Sequence, residues 1–286
     1  MFGSDADGYS VPVFRMYLII WAVFFTFHIC HWEKYNTGVM YLPWSYDVAM
    51  LGGTVLYFFT GLLGYETWKV RLPGGYAAGP LLEVILYVGC YGLSLFMALA
   101  NMVAAYRAGT HKRDTFPEAM RPMVSYFVAY AICVSWAALS PAGVLDRDAR
   151  CFFYLSGTLY ANMSCRLIVA QMSGTRSELV NRLLYPAGAC AALSLSGLLS
   201  AGAEMVLVYG LAALVTVFHV HYAVCVVLQL CELLNIDCFS IANAGKGRTV
   251  PGGGLGEGNG SADVVLPSGD GDKIRLLSDS DDSDSE

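Results

Sequence analysis

V-P-V-F-R-M-Y-L-I-I-W-A-V-F-F-T-F-H-I-C, Val11 to Cys30, decides the fold class. Arg15 is the one charge in this run. About twenty apolar residues wound as a helix cover about 30 Å, the thickness of a bilayer's hydrocarbon. No cleavage pattern of a signal peptide accompanies it. Runs of similar length recur downstream, and seven candidate spans follow, at approximately 11–30, 46–65, 80–105, 121–140, 151–171, 183–201 and 203–232. Unpaired backbone cannot face lipid, so each run is expected to be helical. The fold class read from the chain is therefore all-α, a polytopic membrane helical bundle of about seven transmembrane helices with a disordered cytosolic tail.

The composition of the 286-residue chain agrees: 56% of residues are hydrophobic and 14% charged, against about a quarter charged in soluble domains. This excludes an ordinary soluble enzyme, a secreted disulfide scaffold and a disordered regulator. Cysteine usage points the same way. The nine cysteines contain no C-x2-C pair, and Cys90, Cys133, Cys165, Cys190 and Cys225 fall inside apolar runs. They read as small buried hydrophobes, not as a zinc site or a disulfide frame. Cys231 and Cys238 flank the last run, a weak pattern for palmitoylation. Pro43, Pro73, Pro80, Pro117, Pro122, Pro141 and Pro186 sit at or near predicted span ends, where a missing N–H is tolerated. Trp32, Trp44, Trp68, Tyr35, Tyr41 and Tyr46 cluster there like an aromatic belt.

Orientation follows from Lys and Arg. Lys34, Arg107, Lys112, Arg113, Arg121, Arg176 and Arg182 share one set of loops; Lys69, Arg71, Arg147 and Arg150 lie in the other. The richer set is expected in the cytosol. Two regions result, a transmembrane domain at 1–242 and a Gly/Ser/acidic tail at 243–286. The tail holds nine acidic and four basic residues and accounts for most of the net charge of −6, so that charge says little about nucleic acid; no nucleic-acid partner is expected. It cannot bury enough apolar surface to order itself. Ser278, Ser280, Ser283 and Ser285 read either as kinase substrates or as part of a solubilising acidic segment. Gly254, Gly256, Gly258 and Gly260 lack the strand and helix of a phosphate loop and read as linker.

Polar groups stand out against this apolar background. H-W-E-K-Y-N-T-G, His31 to Gly38, continues to L-P-W-S-Y-D, Leu42 to Asp47, at the predicted cytosolic end of the first span. His31, Glu33, Lys34 and Asn36 place an imidazole, a carboxylate, an ammonium and an amide within six residues. Such a cluster suits a phosphate or a polar headgroup, with Lys34 as a point charge. The alternative is an interfacial loop with aromatic anchors. In Y-A-N-M-S-C-R, Tyr160 to Arg166, Asn162 and Arg166 share one helix face. Arg166 either snorkels to the interface or faces a polar cavity. His219 and His221 in F-H-V-H-Y point to opposite sides of a helix, which favours helix-packing hydrogen bonds over chelation. Gly188, Ala192 and Ser196 form a small-residue stripe that suits close helix contact, internal or in a homodimer. No span carries paired carboxylates of the kind that hold a divalent ion. Asp47, Glu66, Glu83 and Glu204 stand singly near span ends, and no G-x-S-x-G or H-E-x-x-H is found.

H-W-E-K-Y-N-T-G-V-M-Y-L-P-W-S-Y-D at His31–Asp47, A-N-M-S-C-R-L-I-V-A-Q-M-S-G-T-R at Ala161–Arg176 and H-V-H-Y-A-V at His219–Val224 resemble, in order, the ethanolaminephosphotransferases of the selenoprotein-I type. These are part of the CDP-alcohol phosphatidyltransferase family. The resemblance covers about residues 10–240. It implies phospholipid biosynthesis in the endoplasmic reticulum or Golgi membrane. The hydroxyl of diacylglycerol attacks the phosphorus bearing the alcohol of CDP-ethanolamine, phosphatidylethanolamine forms and CMP leaves. It also implies Mg2+ or Mn2+, held by aspartates of D-G-x2-A-R-x8-G-x3-D-x3-D. Ala149-Arg150 is the one Ala-Arg pair here, with Leu145 and Asp146 where Asp and Gly belong, and no D-x3-D follows. Catalytic and metal residues are therefore not assigned, and the candidates remain His31, Glu33, Lys34, Asn36, Asn162 and Arg166 on the substrate side. The expectation is a chain that corresponds to the rear spans of the family, inactive alone. The alternative is a non-catalytic membrane partner or regulator of a full-length phosphotransferase. A seven-helix receptor lacks support, because no Asp/Glu-Arg-Tyr ends the third span and no Asn-Pro-x-x-Tyr lies in the seventh.

Overall fold

The computed structural model describes residues 11–41, 43–69 and 77–234, with Tyr9, Gly75, Ile236 and Cys238 as single positions. The expectations for the tail, for Pro73 and Arg71, and for the side chains of Trp44 and Tyr46 lie outside the described residues. Within them the chain is helical: α1 (Val13–Thr37), α2 (Pro43–Leu63), α3 (Ala78–Tyr87), a π-turn (Val88–Leu93), α4 (Ser94–Ala108), α5 (Phe116–Leu139), α6 (Val144–Met172), α7 (Leu184–Leu195) and α8 (Ala201–Leu234). The segment from α3 to α4 is one continuous rod, so the seven predicted runs each meet a helical rod. Four rods are long and apolar enough to cross a membrane: Val13–Thr37, Ala78–Ala108, Phe116–Leu139 and Ala201–Leu234. The protein is an all-α integral membrane bundle. Two compact units divide it, Met1–His219 and Val220–Glu286; the second begins earlier than the tail read from composition.

Several boundaries differ from the sequence reading. The first span was expected to end at Cys30, with a loop next. Instead α1 continues through Thr37. Its polar residues bond back along the helix, Asn36 Nδ2 donating to the Trp32 carbonyl (2.9 Å) and Thr37 Oγ1 to that of Glu33 (2.9 Å). Gly38, at φ 82°, then stops the helix and returns its N–H to the Lys34 carbonyl, the left-handed cap that glycine adopts without steric cost. The expected span 183–201 shrinks to the 12 residues of α7, about 18 Å long, too short to cross alone. Gly197 turns the chain at φ 72°, and the Ser200 hydroxyl accepts the Ala203 N–H to start α8.

Pro122, expected near a span end, lies inside α5, where its missing N–H leaves a carbonyl of the preceding turn without a helical partner. In α6, Asp148 leaves helical geometry (φ −151°, ψ 80°) and its Oδ1 accepts the Cys151 N–H at 3.0 Å. It is thus the N-cap of the apolar run that follows. The Cys151 N–H, and then the Tyr209 hydroxyl at 2.9 Å, hold this carboxyl below the usual carboxylate range. Of the cysteines expected to be buried, Cys133 is, whereas Cys165 is exposed on α6.

The core of the first unit is an aromatic seam. Tyr17, Trp21, Phe25 and Ile29 repeat every four residues along the buried face of α1. They meet Tyr126 of α5 and Phe152 and Tyr160 of α6. In lipid there is little hydrophobic gain from bringing helices together, so packing and interhelical hydrogen bonds hold them. The seam supplies both. Phe24 stacks on Tyr160 with centroids 4.1 Å apart. The Tyr160 hydroxyl donates to the Phe24 carbonyl (2.7 Å), and that of Tyr126 to the Trp21 carbonyl (2.8 Å). At the α5 proline, Trp32 Nε1 donates to the Ala119 carbonyl at 2.7 Å, and His28 Nε2 lies 3.1 Å from that of Pro122. Gly188 packs against α5, where an added Cβ would meet Ile132 at 3.4 Å. Ala192 and Ser196 are exposed, and the buried stripe of α7 is Leu184, Ala187, Ala191 and Ser194. The glycine therefore serves a contact inside the chain.

Candidate functional site

Three stretches predicted to share one side of the membrane do converge: the end of α1, the α4–α5 loop and the α6–α7 loop. The Lys112 N–H donates to the Asn36 carbonyl at 2.8 Å. Arg113 lies 4.3 Å over the Tyr35 ring, bonds the Thr175 carbonyl (3.3 Å) and pairs with Glu118 (3.2 Å). Arg176 shares Glu118 at 3.2 Å, and the Ser177 N–H donates to the Tyr35 hydroxyl at 3.3 Å. One carboxylate thus serves two guanidiniums, which leaves this end with a surplus of positive charge.

Within the α1 end, helical rotation splits the sequence candidates by face. Trp32, Glu33, Tyr35 and Asn36 are buried, while His31 and Lys34 are partly exposed. His31 and Lys34 are three apart and so share the outward face. The hydrogen bonds sort the six candidates into separate groups. Glu33 accepts from Asn101 Nδ2 of α4 at 2.7 Å, and its other oxygen is buried with no hydrogen-bond partner. His31 pairs with Gln171 at the end of α6: Nδ1 lies 3.2 Å from Gln171 Oε1, and Gln171 Nε2 donates to the His31 carbonyl at 2.5 Å. Asn162 is the hub of a third group. Its Oδ1 accepts from Arg166 Nε (3.2 Å) and Asn181 Nδ2 (2.9 Å), and its Nδ2 faces His219 Nδ1 at 3.5 Å. Arg166 also reaches Glu178 in the next loop at 2.7 Å. It is thus tied both into the bundle and outward, and His219 makes the helix-packing contact expected of it. His221 sits 3.7 Å from Cys225 of its own helix.

Sequence reading did not single out Asn101, Gln171, Asn181 or Glu118. Asn101 carried a usable signal, an amide inside the apolar run A-L-A-N-M-V. Gln171 stood in a quoted motif without a mark of its own, and Asn181 and Glu118 lie in or beside loops, where polar residues are ordinary.

The divalent ions implied by the resemblance do not fit the described residues, because no three His, Cys, Asp or Glu side chains lie close enough to share one. Glu83 is committed to Arg15, and Glu204 accepts from Trp136 Nε1 (2.9 Å) and Ser140 Oγ (2.7 Å).

No family model matches the chain. It is 37% identical over 242 residues to mouse ethanolaminephosphotransferase 1, an alignment that takes in 84% of this chain and 60% of the relative. The human protein of the same name gives 36% over the same shares. Over that stretch the chain is similar to the ethanolaminephosphotransferases. The choline/ethanolaminephosphotransferase 1 of Arabidopsis thaliana is more distant, 23% identical over 75% of this chain and 60% of its own. The chain spans 60% of the length of the curated relatives it matches.

Proposed function

We propose that the protein takes part in phospholipid synthesis, in the transfer of phosphoethanolamine from CDP-ethanolamine to diacylglycerol, within the endoplasmic reticulum or Golgi membrane. The observation that carries this reading is the 37% identity to an ethanolaminephosphotransferase, against 23% to the relative whose name includes choline. In the reaction the diacylglycerol hydroxyl oxygen bonds to the ethanolamine-bearing phosphorus, the P–O bond to CMP breaks and the hydroxyl proton is removed. The cation-rich end formed by the three converging loops is the cytosolic face, where the nucleotide enters. His31 and Lys34 form its outward rim with Arg166, while Glu33, Asn36 and Asn162 support that rim from inside. A positive rim draws in a diphosphate by long-range attraction that salt weakens.

We assign to the rim residues of this chain the headgroup-side wall. The test is incorporation of radiolabelled ethanolamine from CDP-ethanolamine into lipid, in membranes of cells without their own phosphotransferase. The chain alone is expected to give none. In a full-length relative, replacing the residue aligned with Lys34 by Ala is expected to raise the apparent KM for CDP-ethanolamine several-fold with little change in kcat. An unchanged KM sinks the rim assignment. Robust incorporation by the chain alone sinks its supporting role. Co-purification with a full-length enzyme whose KM the chain leaves untouched favours a regulatory partner instead.

A further inference from the structure

The His31–Gln171 pair is reciprocal, and its chemistry leaves one solution. The His31 backbone carbonyl can only accept, so the Gln171 group 2.5 Å away from it must be the amide NH2. That places the Gln171 carbonyl oxygen at 3.2 Å from His31 Nδ1. An amide oxygen can also only accept, so Nδ1 must carry the proton. A neutral imidazole has one N–H, and the lone pair is then on Nε2. The ring is further held by Phe27, one turn back along α1, with centroids 4.6 Å apart. Its neighbours Trp32 and Glu33 are buried, whereas His31 is partly exposed, so Nε2 belongs to a side chain that a ligand can reach. Lys34 is the charged group one turn along the same face.

We propose that Gln171 is a positioning residue, which locks His31 in the Nδ1–H tautomer and presents Nε2 as the hydrogen-bond acceptor for an O–H or N–H donor of the substrate. The donor half rests on the phosphotransferase reading; the tautomer half does not. An imidazole in water favours the opposite, Nε2–H, tautomer, so the pair inverts a default rather than reinforcing it. The effect of Gln171 on His31 is orientation and protonation state, with no contact of its own to the reacting atoms.

The tautomer is read directly by 15N NMR of the full chain, labelled at histidine in lipid nanodiscs without substrate, at a pH where imidazole is neutral. His31→Asn identifies the His31 signals among the five histidines. The expected result is a pyrrole-type Nδ1 and a pyridine-type Nε2. Gln171→Leu is expected to exchange the two types, which a merely structural glutamine would not do. A pyridine-type Nδ1 in the wild-type chain overturns the proposal, and this measurement stands even if the variant does not fold. CDP-ethanolamine and dioctanoylglycerol are then titrated separately. A shift of Nε2 with the first places the donor on the nucleotide substrate, and a shift with the second assigns the lipid hydroxyl. Neither ligand moving Nε2 overturns the acceptor role, while failure of the enzymatic reading alone leaves the substrate-free tautomer intact.

Discussion

Glu33 and Glu204 are both fully buried carboxylates in apolar helices, 0% and 1% exposed, yet their surroundings differ in kind. Glu204 stands in the first turn of α8, where the helix dipole favours a negative charge, and it receives two donors from the segment that ends α5, Trp136 and Ser140. Glu33 stands in the last turns of α1, where the dipole opposes a negative charge. It receives one donor from a side chain, and one of its oxygens is orphaned. The first is a joint and the second is a buried group the fold does not fully satisfy. A site can cost stability in this way, because a buried polar atom without a partner forfeits about 1–3 kcal/mol.

That contrast can be broken by measurement. The largest effect is expected from Glu204→Leu, which strands the Trp136 N–H and the Ser140 hydroxyl together. A loss of about 2–4 kcal/mol is expected, visible as a lower thermal midpoint of the detergent-solubilised chain. Next is Gly38→Ala. Its φ of 82° opposes a side chain, whereas the flexible end of Lys112 beside it can move aside. A loss of about 1–2 kcal/mol is expected, and Gly38→Asn should recover part of the backbone term. The smallest effect is expected from Glu33→Gln, a change within about 1 kcal/mol, because it removes a poorly compensated buried charge and keeps the Asn101 bond. Equal destabilisation by Glu33→Gln and Glu204→Gln would erase the distinction between the two carboxylates.

The legibility of the fold followed the same division. Seven apolar runs could be counted because lipid imposes one length scale and one backbone solution. Their ends could not be placed. A polar residue at a span end reads alike whether it enters a loop, as was expected of His31–Thr37, or stays helical and turns inward, as Asn36 and Thr37 do. The short α7 was read as a full span because Ser196 and Gly197 do not by themselves break a helix; the Ser196 hydroxyl donates to the Leu193 carbonyl and accepts the Leu198 N–H, and Gly197 turns at φ 72°. For the candidate site, the sequence offered His31, Lys34 and Arg166, and the three cation-bearing loops, through residue type and parity of crossing. It did not find Gln171 or Asn101, since their partners lie 140 and 68 residues away.

The chain's own order of residues determined that this is a helical membrane protein, how many apolar runs it has, and its similarity to the ethanolaminephosphotransferases. These are properties of local composition and of strings compared position by position. Only the tertiary structure decided which carboxylate is a joint and which is left short of a partner, and which nitrogen of His31 holds the proton. A hydrogen bond between distant helices depends on where two side chains meet in space, and no local pattern records that.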